Sequence, residues 1–180
     1  MPDPQATAGI LSLATYIPHT YHDADYIAAH SDTPAHIIRT KLGWYQKNVP
    51  GPGDHTVAMG LKAARKALYY SGLTPSDIDL VIWSGEEIKE YRNWPVGPKI
   101  QKELGLKNAW SFDIQQRCGT TLVALKLARD MIRADEAINH VLIASGYRNS
   151  DLIDYSNPRV RWMYYLAAGG GRMPCPTGLP

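Results

Sequence analysis

The sequence holds two cysteines, and one of them stands where a thiol can act as a nucleophile. Cys118 follows a strand-like stretch ending near Asp113 and comes just before a helical pattern of Leu122, Leu125, Ala128, Met131 and Ile132. A helix N-terminus presents unpaired backbone N–H groups and the positive end of the helix dipole, a setting that favours thiolates. Arg117 adds a cation next to it. The chemistry open to such a group is covalent acyl transfer, in which attack on a carbonyl carbon divides one difficult step into two easier ones. The competing reading is a thiol buried as a small apolar side chain. The other reactive residues point to less. No Cys, His or carboxylate set with metal-site spacing surrounds His19 and His22. His140 opens a strand and reads as structural. Gly169–Gly171 lacks the Lys-Ser/Thr of a phosphate loop.

The elements that must position Cys118 follow from periodicity and breakers. A first strand is expected over residues 8–17, stopped by Pro18. Short helices are expected from Asp23 to His30 and from Pro34 to Lys41, with Thr33 as a start signal. The Pro- and Gly-rich stretch from Val49 to Gly53 is a loop. A long helix then runs to Ser71, with Val57, Leu61, Ala64 and Leu68 as its apolar stripe and Gly72 as its stop. Leu80–Trp83 reads as a buried strand, Pro95 to Glu103 as a helix closed by Gly105, and Ala109 to Asp113 as a strand. The Cys118 helix extends to Ala134, and His140 to Ser145 is the next strand. Strands alternating with helices imply an α/β layered fold built on a mainly parallel mixed sheet with helices on its faces. Beyond Gly171 the prolines 174, 176 and 180 predict an irregular tail over 172–180, and a truncation or altered frame after Gly171 is the expectation drawn from it.

Composition narrows the function classes. Apolar residues make up 44% and charged residues 20% of 180, a globular composition. A net charge of +2, with 19 basic residues spread along the chain, gives no footprint for nucleic acid. No apolar run reaches the about 18 residues of a membrane span. The start of the chain does not read as a signal peptide, and two cysteines make no disulfide framework, so a reducing, cytoplasmic setting is expected.

Four segments together resemble the N-terminal half of thiolase-superfamily condensing enzymes. They are Ile10 to Pro18; Lys41 to Lys47 with Val49–Pro52 and Asp54–Thr56; Phe112 and Asp113 with Cys118 and Gly119; and Asp154 to Arg159 through to Gly171. The resemblance is to β-ketoacyl-ACP synthase III and to archaeal-type hydroxymethylglutaryl-CoA synthase. It implies a thiolase-like half-domain over residues 1–171, with Cys118 as the nucleophile that carries the acyl group. Glu87 falls level with the acid/base glutamate of the hydroxymethylglutaryl-CoA synthases, although Glu86, Glu87, Lys89, Glu90 and Arg92 also read as a solvated charged loop. Trp44 and Lys47 lie where family members meet the coenzyme or carrier arm; the plain readings are a core tryptophan and a surface lysine. Arg159 and Arg161 are weaker phosphate candidates. No cofactor is held permanently; an acyl-CoA or acyl-carrier-protein thioester is the substrate, and a homo-oligomer is the implied assembly. Two departures stand out: Thr120 replaces a usual Gly, and Ala168 an acidic residue. The family's catalytic His lies in a second half without counterpart here, so acylation without condensation is expected. A hydroxymethylglutaryl-CoA synthase-like enzyme and a non-catalytic half that only folds and associates are the alternatives.

Overall fold

Short strands β1 (Ala14–Tyr16) and β2 (Tyr21–Asp23) lead into helices α1 (Ala24–Ala29) and α2 (Ala35–Thr40), then β3 (Gln46–Asn48) and the long α3 (Thr56–Ser71). There follow β4 (Leu80–Trp83), α4 (Gly97–Leu104), β5 (Trp110–Asp113), α5 (Thr120–Ala134), β6 (His140–Arg148) and β7 (Ala168–Pro176). The structure, a computed structural model, describes residues 8–85, 90, 91 and 93–176, of which 172–176 by their backbone. α3 and α4 end as their sequences predict, on Gly72 and Gly105 in the left-handed conformation, at φ 71 and 70. α2 begins one residue later than Thr33 would set it, on Pro34 and without a side-chain cap.

Five strands form one sheet in the order β1-β7-β6-β4-β5, and β2 pairs with β3 separately. It is a mixed sheet. β6, β4 and β5 are parallel, whereas β7 runs antiparallel to both β6 and β1. Parallel pairing is thus confined to the side that carries the site. The period-2 alternation of β4 sorts the core into two layers. Val81 and Trp83 face Val57, Leu61, Ile100 and Leu104 of α3 and α4. Leu80 and Ile82 face Ala124, Ala128 and Ile132 of α5. A third cluster joins Ala24, Ile27, Ile38 and Tyr164 beside the small sheet.

α3 lies close enough to the sheet for backbones to touch. A Cβ on Gly146 would sit 2.0 Å from the Thr56 carbonyl oxygen, and one on Gly170 would sit 2.3 Å from that of Met59. Only glycine fits there, which gives the Gly169–Gly171 run a packing role. At the start of α3, Asp54 accepts from the Tyr16 hydroxyl at 2.7 Å and from Lys62 at 2.9 Å, tying β1 to the helix.

Two expectations need correction. The first strand is three residues long, because β7 gives β1 only three partners, Gly170 to Arg172. The stretch after Gly171, expected to be irregular, continues β7 as far as Pro176, in register with β6 down to His140. The reason lies in the sheet edge. Beyond Arg172, β1 no longer covers β7, and prolines spaced by two can turn both nitrogens to that unpaired side.

Candidate active site

Parallel pairing of β6, β4 and β5 brings their carboxyl ends together, the end at which open α/β sheets bind ligands. Asp113, the last residue of β5, fixes the exit of the strand. Its carboxylate accepts from the Val96 N–H at 2.8 Å and the Gly97 N–H at 2.9 Å, capping α4. The Ile114 N–H donates to the Trp83 carbonyl at 2.9 Å and holds the chain on the sheet one residue further. From this anchor the chain passes to a 3-10 turn, Arg117–Gly119, which carries Cys118 directly ahead of α5.

Cys118 is exposed, so it is not a thiol sealed in core. It lines a cleft of about 210 Å³ with Ser84 and Gly85 after β4, Arg117, Thr120 and Thr121, Ser145 and Tyr147 of β6, and Asn149. The lining is rich in hydroxyls. Ser145 donates to the Gly171 carbonyl at 3.2 Å, whereas the buried Ser84 hydroxyl has no hydrogen-bond partner among the described residues. Arg117 precedes the thiol in the left-handed region, at φ 50, a conformation that costs a residue with a Cβ about 1–2 kcal/mol. Two N–H groups at the helix mouth are already engaged: that of Gly119 with the Gln116 carbonyl at 3.1 Å and that of Thr120 with the Arg117 carbonyl. A wider surface hollow of about 430 Å³ lies between the ends of α3 and α4, but its lining, Arg65, Leu68, Tyr69, Gly72, Leu73, Glu103 and Leu104, holds no thiol or hydroxyl nucleophile poised by a turn.

The other sequence candidates fall elsewhere. Glu87 lies outside the described residues. Its neighbour Glu90 is half-buried and accepts from the Val57 N–H at 2.9 Å, so this part of the charged loop caps α3 rather than standing free in solvent. Trp44 packs half-buried against the third cluster. Lys47 is buried, at 8% exposure, and is not the surface lysine that one reading expects. Its ammonium makes no hydrogen bond among the described residues and rests 4.9 Å from the centre of the Tyr155 ring. Burial lowers its pKa from 10.5 to about 8. The Tyr155 hydroxyl meets His22 Nδ1 at 3.0 Å; burial raises the tyrosine's pKa and, with Lys47, lowers that of the histidine. Neither Trp44 nor Lys47 lines the Cys118 cleft. His140 is structural, its ring bonded to the Asp77 carbonyl at 2.9 Å. Arg161 pairs with Asp32. Among the described residues no group of three His, Cys, Asp or Glu could hold a metal ion, and no helix is long and apolar enough to cross a membrane.

In sequence and fold the chain is similar to known proteins. The family 3-oxoacyl-[acyl-carrier-protein (ACP)] synthase III matches residues 112–173, which run from β5 through Cys118 into β7. The beta-ketoacyl-[acyl-carrier-protein] synthase III of Rickettsia rickettsii is 30% identical over 152 residues, 84% of this chain and 47% of the relative. That of Streptomyces lividans is 28% identical over 160 residues, 89% of this chain and 47% of the relative. Among solved structures, the priming β-ketosynthase of the R1128 polyketide pathway superposes with a TM-score of 0.88 at 25% identity, covering 100% of this chain and 53% of its own. The 3-oxoacyl-[acyl-carrier-protein] synthase III of Aquifex aeolicus has the same fold, with a TM-score of 0.86 at 21% identity over 97% of this chain and 55% of its own. The chain therefore spans about half the length of the relatives it matches. In fold and in sequence it resembles about half of a thiolase-superfamily condensing enzyme of the 3-oxoacyl-ACP synthase III kind.

Proposed function

We propose that the protein is an acyl-thioester condensing acyltransferase of the 3-oxoacyl-ACP synthase III type, with Cys118 as the residue that carries the acyl group. The observation behind this reading is the exposed thiol on a strained turn, opening to a hydroxyl-lined cleft at the carboxyl ends of parallel strands. In the step assigned to these residues the Cys118 sulfur attacks the carbonyl carbon of an acyl thioester. A new C–S bond forms, the bond to the donor sulfur breaks, and the donor leaves as a thiol with the proton that Cys118 gives up. Acyl-CoA or an acyl carrier protein is the donor, with no permanently bound cofactor, and the cytoplasm is the compartment that keeps the thiol reduced. Over the hydroxymethylglutaryl-CoA synthase alternative, this reading is favoured by the ketoacyl synthases among the relatives.

Acylation is the half-reaction that this chain's own residues can carry. Incubation of the 180-residue chain with acetyl-CoA, followed by intact mass and peptide mapping, is expected to give one acetyl group on Cys118 and none on Cys118→Ser. Acetylation that persists in the serine variant, or a wild-type chain unmodified by acyl-CoA and acyl carrier protein alike, would overturn the proposal.

A further inference from the structure

The turn that presents Cys118 is closed by a buried hydroxyl. Thr120 is 4% exposed, and its Oγ1 bonds back across the turn in both senses. It accepts from the Gln116 N–H at 2.7 Å and donates to the Arg117 carbonyl at 2.7 Å. That carbonyl also takes the Thr120 N–H, so one residue binds the segment before the thiol through both its backbone and its side chain. Arg117, held between these bonds, is one of two residues other than glycine with positive φ among those described. A left-handed arginine persists only where its surroundings over-determine it. The Thr120 hydroxyl is one group that does so from outside the turn's own backbone. Gly119, at the N-cap of α5, has no side chain to share the task.

We propose that Thr120 is the positioning residue of the nucleophile: its hydroxyl locks the Gln116–Arg117 backbone in the conformation that points Cys118 into the cleft. This rests on the reading of Cys118 as the acyl acceptor. Valine in its place keeps the shape but leaves the Gln116 N–H without its partner and the Arg117 carbonyl one donor short. The turn is then free to relax towards an ordinary φ, and the thiol leaves its place relative to the cleft. Serine keeps both bonds.

The test compares the wild-type chain with T120V and T120S. Acetylation of Cys118 by acetyl-CoA is expected to slow about tenfold or more in T120V, in line with the loss of two buried hydrogen bonds, and to stay within about threefold of wild type in T120S. Alkylation by iodoacetamide and far-UV circular dichroism check that the thiol and the fold are intact. T120V acetylated at the wild-type rate, or T120S slowed as much as T120V, would sink the assignment. Amide exchange at Gln116 reads the same contact without any acyl donor. Protection in the wild-type chain that is lost in T120V and kept in T120S supports the lock even if acetyl-CoA fails to acylate, a result that would remove the acyl-acceptor reading alone. Fast exchange of the Gln116 amide in the wild-type chain overturns the lock, and this readout does not depend on T120V folding.

Discussion

The placement of Cys118 at a helix start is legible from the sequence because its setting is local: a strand, a turn and a helix start within a dozen residues. That of Lys47 is not, because what buries it comes from far along the chain, on the segment that carries Tyr155. Neither a phosphate contact nor a surface position anticipates a buried ammonium lying against an aromatic ring. Its energetics follow from linkage. The folded pKa, about 8, lies below the 10.5 of the free side chain. Between those values the unfolded chain binds the extra proton, so stability rises with pH; below about 8 the penalty is fully present and constant. Lys47→Met should therefore abolish that rise and stabilise the chain at pH 7 by about 1 kcal/mol. Urea unfolding of both chains from pH 7 to 10.5 reads the difference. Parallel curves would mean that the ammonium reaches water. Thr120 presents the opposite case: its departure from the resembled motif is visible in the sequence, but the two hydrogen bonds that give it a role are not.

At the scale of elements, helices were read well and strand ends poorly. α3, α4 and α5 announce themselves by apolar spacing, and α3 and α4 also by left-handed glycine stops, signals that lie within or beside the element. The extent of β1 and β7 depends on which partner lies alongside, which no local pattern encodes. Prolines after Gly171 argued against a strand as though both of its edges were covered. The packing role of Gly146 and Gly170 likewise depends on α3, which lies against them from elsewhere in the chain. That contact predicts a large effect from a small change. Gly170→Ala places a methyl group 2.3 Å from the Met59 carbonyl oxygen, and backbone cannot yield as a flexible side chain does. We expect a loss of about 2 kcal/mol or more, and a thermal midpoint lower by several degrees, by differential scanning calorimetry. Gly53→Ala, with no atom within 4 Å of the added carbon, is the matched control. Equal midpoints for the two variants would show that α3 stands further off the sheet.

On the scale of the whole molecule, α5 carries Leu122, Val123, Leu125, Leu127, Met131 and Ile132, apolar residues over much of its circumference. The structure accounts for part of this. Ala124, Ala128 and Ile132 of α5 pack on the sheet, while Leu122 is 71% and Val123 38% exposed at the end of the helix nearest Cys118. Ile10, Leu13 and Ile17 are also more than half exposed, at 51%, 59% and 60%. Apolar surface of this kind drives association. The chain is therefore expected to sediment as a dimer or larger species at micromolar concentration, with Leu122→Lys shifting it towards monomer; a wild-type monomer that binds no hydrophobic dye would refute this. The sheet order has a temporal consequence as well. Among the described residues β1 pairs in the sheet with Gly170, Gly171 and Arg172, and β7 stands between it and β6. On a ribosome, β1 must wait for β7. The β4, β5 and β6 ladder can assemble while its edge is still open, and β1 can join only after β7 has been synthesised, so the nascent chain carries an unpaired apolar segment until then.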